Sequence, residues 1–209
     1  MIAHAMLRTL ESYRQRTLAF NRRGLAIAAS LIAAIVVPAR TVAQEMEVPV
    51  SVQIPLFLKV ITFDRQLHSR NPTEFVVAVV YQSGNRASAS ARDDAVRAIE
   101  SAHATVAGAP VRVVEIDLDQ ASLTAALKAR QISLLYVAPL RAIDISELAA
   151  TARAAGLTTV SGVPHYIALG LAVGVRLQRD RPRILVNLQG ARLEGADFTA
   201  ELLKLAEMM

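Results

Sequence analysis

Hydrophobic and polar positions along this chain fall into two regimes. The first is an unbroken apolar run from Gly24 to Val37, preceded by Arg22-Arg23 and followed by PARTVAQ up to Gln44. The second starts near Val50, where short apolar blocks alternate with amphipathic ones. Val50 to Ile61 (VSVQIPLFLKVI) is apolar enough for a buried strand, but its spacing favours a helix beginning near Ser51 with Pro55 in its first turns. Glu74 to Tyr81 (EFVVAVVY) is a β-branched run of the kind found in a strand covered on both faces.

A turn at Gly84-Asn85-Arg86 leads into Ser88 to Val106, with helical spacing at Ala91, Ala95, Ala98, Ile99 and Ala102. Val111 to Ile116 reads as the next strand, and Asp119 as the cap of a helix over Gln120 to Arg130. Ile132 to Val137 is a further strand. Asp144 caps a helix that Gly156 stops, and Leu157 to Val160 is a short strand. This βαβαβαβ order predicts an α/β fold, a mostly parallel sheet with helices on both faces in a Rossmann-like three-layer sandwich. Leu171 to Gln178 and Arg183 to Leu188 flank Arg179-Asp-Arg-Pro182, too short for a crossover helix, so the sheet is expected to close on an antiparallel C-terminal hairpin edge. Ala191 to Met209 is expected to place Phe198, Leu202, Leu205 and Ala206 on one buried helical stripe.

The apolar run is shorter than the roughly 20 residues of a membrane-spanning helix and fits a signal-peptide core of about 7 to 15. Thr41-Val42-Ala43 supplies small residues for cleavage ahead of Gln44. The expected organisation is therefore a leader and signal peptide over residues 1–43 and one domain over 44–209. An uncleaved anchor is the alternative, and Arg22-Arg23 is a weak match to a twin-arginine signal. Residues 1 to about 22 are long for a positive leader, which fits a start codon placed too early. Charge divides the same way. Six arginines oppose Glu11 before Gln44, whereas 17 basic and 17 acidic residues balance after it. The basic footprint of a nucleic-acid binder is missing from the domain. Without cysteine the chain has no disulfide, thiolate metal site, thiol catalysis or lipoprotein anchor.

LFLKVITFDR at residues 56–65 and, above all, ILVNLQGARLEGADFTAELLKLA at residues 184–206 resemble the YfiR/HmsC family of periplasmic proteins. The resemblance extends over roughly residues 48 to 207. Its most specific part is Asn187-Leu188, Ala191-Arg192, the Gly195 break and the run from Leu202 to Ala206. It implies a single α/β domain, soluble once mature and often homodimeric, that represses an inner-membrane diguanylate cyclase by binding its periplasmic portion, and so acts on c-di-GMP signalling and biofilm control. Two features depart from the pattern. The characterised repressor carries disulfides and this chain has no Cys, which removes redox control; and Phe63-Asp64 stands where an aromatic-plus-Pro often follows the first helix. These departures leave a sensor histidine kinase open as the partner.

The residues themselves give little catalytic chemistry. Glu115-Ile-Asp117-Leu-Asp119 is an acidic cluster at a strand end, but a receiver-like site would add a strand-end lysine, and Lys59, Lys128 and Lys204 all fall in predicted helices. The cluster reads as a solvated turn and cap. His68, His103 and His165 lack metal-ligand spacing, and Gly162, Gly170 and Gly174 lack phosphate-binding spacing. Two loops are candidate small-ligand sites because they follow strands of a parallel sheet: Ser83, Asn85 and Arg86 after one, His165 and Tyr166 after another. A plain turn and an ordinary surface histidine are the competing readings. The expectation is a non-enzymatic periplasmic regulator without cofactor, metal or nucleic acid, its partner an inner-membrane diguanylate cyclase or histidine kinase. The rival is a periplasmic small-ligand-binding protein serving a transporter or receptor.

Overall fold

The structure is a computed structural model that describes residues 46–70 and 73–209. The expected leader over residues 1–43 and its cleavage point lie outside the described residues. The elements in chain order are α1 (Val50–Ile61), α2 (Arg65–Arg70), β1 (Phe75–Tyr81), α3 (Arg86–Ala102), β2 (Thr105–Val106), β3 (Ala109–Asp117), α4 (Leu123–Lys128) and β4 (Leu134–Val137). They continue with α5 (Ile145–Ala154), β5 (Thr158–Ser161), α6 (Pro164–Ala168), β6 (Val173–Gln178), β7 (Arg181–Val186), α7 (Leu188–Leu193), α8 (Ala200–Leu205) and β8 (Glu207–Met208).

The strands form one eight-stranded sheet in the order β2-β3-β1-β4-β5-β6-β7-β8. β3, β1, β4, β5 and β6 run parallel, and β6–β7 is the antiparallel hairpin that the sequence predicts. Its two-residue turn puts Arg179 at φ 51 and Asp180 at φ 60, the left-handed geometry that matches the twist of the flanking strands. Outside the hairpin the short β8 pairs parallel to β7 at Leu185 and Val186, so the hairpin lies one strand in from the edge.

β1 is buried along its whole length, as its β-branched run predicts. Alternation sends Phe75, Val77 and Val79 to one face, where α1, α3 and α8 cover them, and Ala78 and Val80 to the other, under α5 and α6. α1 presents Val50, Ile54, Phe57, Leu58 and Ile61 to the first face, a spacing of three and four that defines a helical stripe. The helix accommodates Pro55 in its second turn.

Four sequence expectations need correction. The helix expected over Ser88 to Val106 ends at Ala102, because His103 adopts φ 42 and Ala107-Gly108 (φ 52 and 84) turns the chain into the small hairpin β2–β3. Asp119 does not cap a helix: Ser122 caps α4 by accepting from the Ala125 N–H, and the helix runs only from Leu123 to Lys128. Pro164-His165-Tyr166 is the start of α6 rather than a loop, with Pro at the position where a missing N–H costs nothing. The C-terminal stripe is not one helix. Gly195 (φ 85) separates α7 from α8; Phe198, Leu202 and Ala206 are buried, whereas Leu205 is 61% exposed.

Candidate functional site

After β1 the chain goes to β3 on one side, then crosses by way of α4 to β4 on the other. Such a reversal opens a crevice at the carboxyl ends of the strands, the usual ligand position in a doubly wound sheet. Here the crevice is closed by the chain's own groups. Asp117 at the end of β3 accepts from the Ser83 N–H at 3.1 Å and the Asp119 N–H at 3.0 Å. Asp119 accepts from the Gly84 N–H at 2.7 Å and, more weakly, from the Ser83 hydroxyl and the Gln82 amide. A Cβ at Gly84 would sit 3.1 Å from that carboxylate, so the absence of a side chain permits the approach. The Gln82 side-chain oxygen Oε1 in turn accepts from the Arg141 N–H at 2.6 Å. Burial alone would raise the Asp117 carboxyl, but the bonds it accepts from Ser83 and Asp119 prevail and hold it below its ordinary value.

The five candidate ligand residues serve this closure unequally. Asn85 is buried, caps α3 through the Ala87 N–H and donates to the Pro139 carbonyl at 3.3 Å. Tyr166 is wholly buried; its hydroxyl accepts from the Leu140 N–H at 2.8 Å and contacts the Leu140 carbonyl at 3.2 Å. The Pro139-Leu140 segment after β4 is thus gripped from both neighbouring loops. Burial, only partly offset by that hydrogen bonding, pushes the Tyr166 phenol up. Ser83 is tied to Asp117 and Asp119, while Arg86 and His165 are exposed on the first turns of α3 and α6.

Three open grooves lie elsewhere. One of about 960 Å³ follows the free edge of β3 past Arg112, Glu115 and Arg130; one of about 650 Å³ separates the start of α1 from the end of α3; one of about 300 Å³ lies between the starts of α4 and α5. None of the three is lined by Ser83, Asn85, Arg86, His165 or Tyr166. Lys59, Lys128 and Lys204 lie in α1, α4 and α8, away from the strand ends. Among the described residues no group of three His, Cys, Asp or Glu side chains is placed to hold a metal ion.

Two buried polar side chains escape the sequence reading. Gln53 of α1 is fully enclosed, donates to the Val48 carbonyl at 2.6 Å and accepts from the Tyr136 hydroxyl at 2.9 Å. It packs so closely on Gly162 that a Cβ there would come within 2.2 Å. Glu194, also fully enclosed, accepts from the Thr159 N–H at 2.8 Å and the Thr159 hydroxyl at 2.7 Å. A polar residue inside an apolar stripe is the only sequence signal for Gln53, and Glu194 has none.

A doubly wound α/β domain whose ligand crevice is filled by its own turns is suited to presenting surfaces. The sequence profile of the YfiR/HmsC-like family matches residues 65–207, and the chain belongs to that family. The match begins after α1, so the quoted resemblance of residues 56–64 falls outside it. No curated protein matches the sequence. Among solved structures, a conserved domain protein from Vibrio cholerae O1 biovar El Tor strain N16961 superposes with a TM-score of 0.53 at 11% identity, over 77% of this chain and 60% of that one. The ABC domain in complex with L-Trp from Streptococcus pneumonia gives 0.54 at 12% identity, over 77% and 61%. The chain therefore spans about three fifths of the length of these structures, and the likeness is one of fold. Among the described residues no helix is long and apolar enough to cross a membrane.

Proposed function

We propose that this chain is a non-enzymatic periplasmic regulator that, as a homodimer, binds and represses the periplasmic portion of an inner-membrane signalling protein, a diguanylate cyclase before a sensor histidine kinase. The observation that carries this reading is the family match together with a crevice whose polar groups are already satisfied by one another. A regulator that acts by surface contact needs no open ligand site. Deleting the gene should raise cellular c-di-GMP, and supplying the exported protein should restore it, whereas a form lacking residues 1–43 should not. Unchanged c-di-GMP in the deletion strain would remove the cyclase as target and turn the test to kinase output.

The second reading, a periplasmic small-ligand-binding protein, is supported by the fold likeness to a domain solved with L-Trp. That structure extends well beyond the aligned part, and one domain supplies only one wall of a two-lobed cleft. Calorimetric titration with amino acids decides between the two: heat of binding at micromolar concentration would favour the ligand-binding protein.

A further inference from the structure

Met46, in the segment that leads into α1, has polar neighbours for its thioether. The sulfur lies 3.5 Å from Gln53 Nε2 and 3.6 Å from the Tyr136 hydroxyl oxygen. Both neighbours are wholly buried, whereas Met46 is half-exposed and lines the groove of about 650 Å³ between the start of α1 and the end of α3. Its side chain packs against the core on both faces of the sheet. The chain has no cysteine, so thiol chemistry is closed to it and thioether chemistry is not. The other described methionines, Met208 and Met209, are 44% and 53% exposed at the end of the chain.

The two amide protons of Gln53 are used unequally. One goes to the Val48 carbonyl at 2.6 Å, while the Gln53 side-chain oxygen accepts from the Tyr136 hydroxyl at 2.9 Å. The other amide proton faces the Met46 sulfur. A thioether is a weak acceptor, and a buried donor that meets only a weak acceptor recovers little of its lost hydration. An oxygen on that sulfur would complete the set. The donor for a sulfoxide is therefore already in place, and the groove brings solvent to the side chain that would carry it.

We propose that Met46 is a modification site, oxidised to the sulfoxide by a hypohalous acid, with the Gln53 amide receiving the new oxygen. The sulfur lone pair attacks the oxygen of the acid and the S–O bond forms. The O–halogen bond breaks, the halogen leaves as halide with two electrons, and the hydroxyl proton passes to water. A sulfoxide in an apolar contact disrupts a core, because it sets a polar group among carbon atoms. Here it exchanges a weak acceptor for a strong one beside a waiting donor. The segment that also holds the Leu177 N–H of β6 through Glu47, at 2.8 Å, then stays tied down after oxidation.

The test treats the exported protein with hypochlorous acid and locates the added oxygen by peptide mass spectrometry. Met46 should be oxidised along with the exposed Met208 and Met209. The melting temperature should fall by less than about 2 °C, under the roughly 2 to 4 °C that one lost buried bond costs a domain of this size. Changing Gln53→Leu and Tyr136→Phe together removes both polar neighbours, and the same oxidation should then lower the melting temperature by roughly 2 to 4 °C more than in the wild type. If that variant does not fold, two single substitutions decide. Met46→Gln, whose amide oxygen stands in for the sulfoxide oxygen, should melt no lower than Met46→Leu, which offers no acceptor. The reverse order would overturn the proposal. So would an unmodified Met46 once Met208 and Met209 are fully oxidised, or an equal fall in the wild type and the double variant.

Discussion

Two places where the sheet ends are closed by carboxylates, and they do so by opposite means. At the carboxyl ends of β1 and β3, Asp117 and Asp119 lie near the surface and collect N–H groups of a turn. At the amino end of β5, where β6 has not yet begun, Glu194 fills the gap from inside the protein and takes both donors of Thr159. The Thr159 hydroxyl passes the arrangement on by accepting from the Ala172 N–H at 2.9 Å. Surface carboxylates keep their charge and lose little if one bond fails. A carboxylate with no exposure binds its protonation state to the packing around it.

The C-terminal segment that delivers Glu194 should be the more costly to disturb. Leu202 of α8 is 1% exposed beneath the first face of the sheet, and Leu202→Ala should lower stability by about 2 to 5 kcal/mol in chemical denaturation. Leu205→Ala, on the same helix but exposed, should stay within about 0.5 kcal/mol. Equal losses would mean that α8 is covered in solution by something the single chain does not supply.

Glu194 gives the next largest effect. Burial raises its carboxyl to about 8, since the bonds from Thr159 and the field of Arg153 recover only part of the loss. A folded-state value above the unfolded one means that the native protein holds the extra proton between roughly pH 4.5 and 8. Its contribution is thus full below about 4.5 and disappears as pH rises through about 8. Unfolding free energy should fall across this window by up to about 5 kcal/mol. In Glu194→Gln the fall should flatten; a wild-type slope in that variant would assign the pH dependence to another group.

These contrasts also show what could be read from the chain. A continuous β-branched run identified β1, because burial on both faces leaves no polar alternation to confuse with a helix. Asp144 and Gly156 bounded α5 correctly, since cap and stop act within a few residues of themselves. Helical spacing carried across Gly195 gave a false stripe, because periodicity records which residues are apolar and not whether the backbone stays helical between them. Asp119 was legible as a polar turn residue but not as the acceptor of Gly84, 35 positions away. Asn85 and Tyr166 were legible as residues that follow strands, though Tyr166 lies in a helix and not in the expected loop; their shared grip on Pro139-Leu140 depends on strand order, which no local pattern carries.

That grip predicts a smaller loss. Asn85→Ala removes a helix cap and one bond to the Pro139 carbonyl and should cost about 1 kcal/mol, with the α3 amides exchanging faster. Asn85→Asp, which keeps the cap acceptor but not the donor to Pro139, should fall between the two. An alanine form as stable as the wild type would show that water replaces both bonds.

The smallest effect is expected where the acidic cluster looks most like chemistry. Changing Asp117 and Asp119 together to Asn preserves an acceptor oxygen for the Ser83, Gly84 and Asp119 N–H groups, so the turn should survive with less than about 1 kcal/mol lost. What disappears is charge. The hydrogen bonds that hold the Asp117 carboxyl below its ordinary value stabilise the fold above the unfolded carboxylate pKa, and that gain fades as pH falls through the lowered one. The double variant should therefore differ from the wild type at neutral pH and converge with it in acid. If the carboxylates only tie β3 to the turn after β1, c-di-GMP control in cells should be unchanged at equal protein level. Loss of control in a variant that melts with the wild type would make the two aspartates a binding or catalytic site, and the closed crevice would then be the resting form of one that opens.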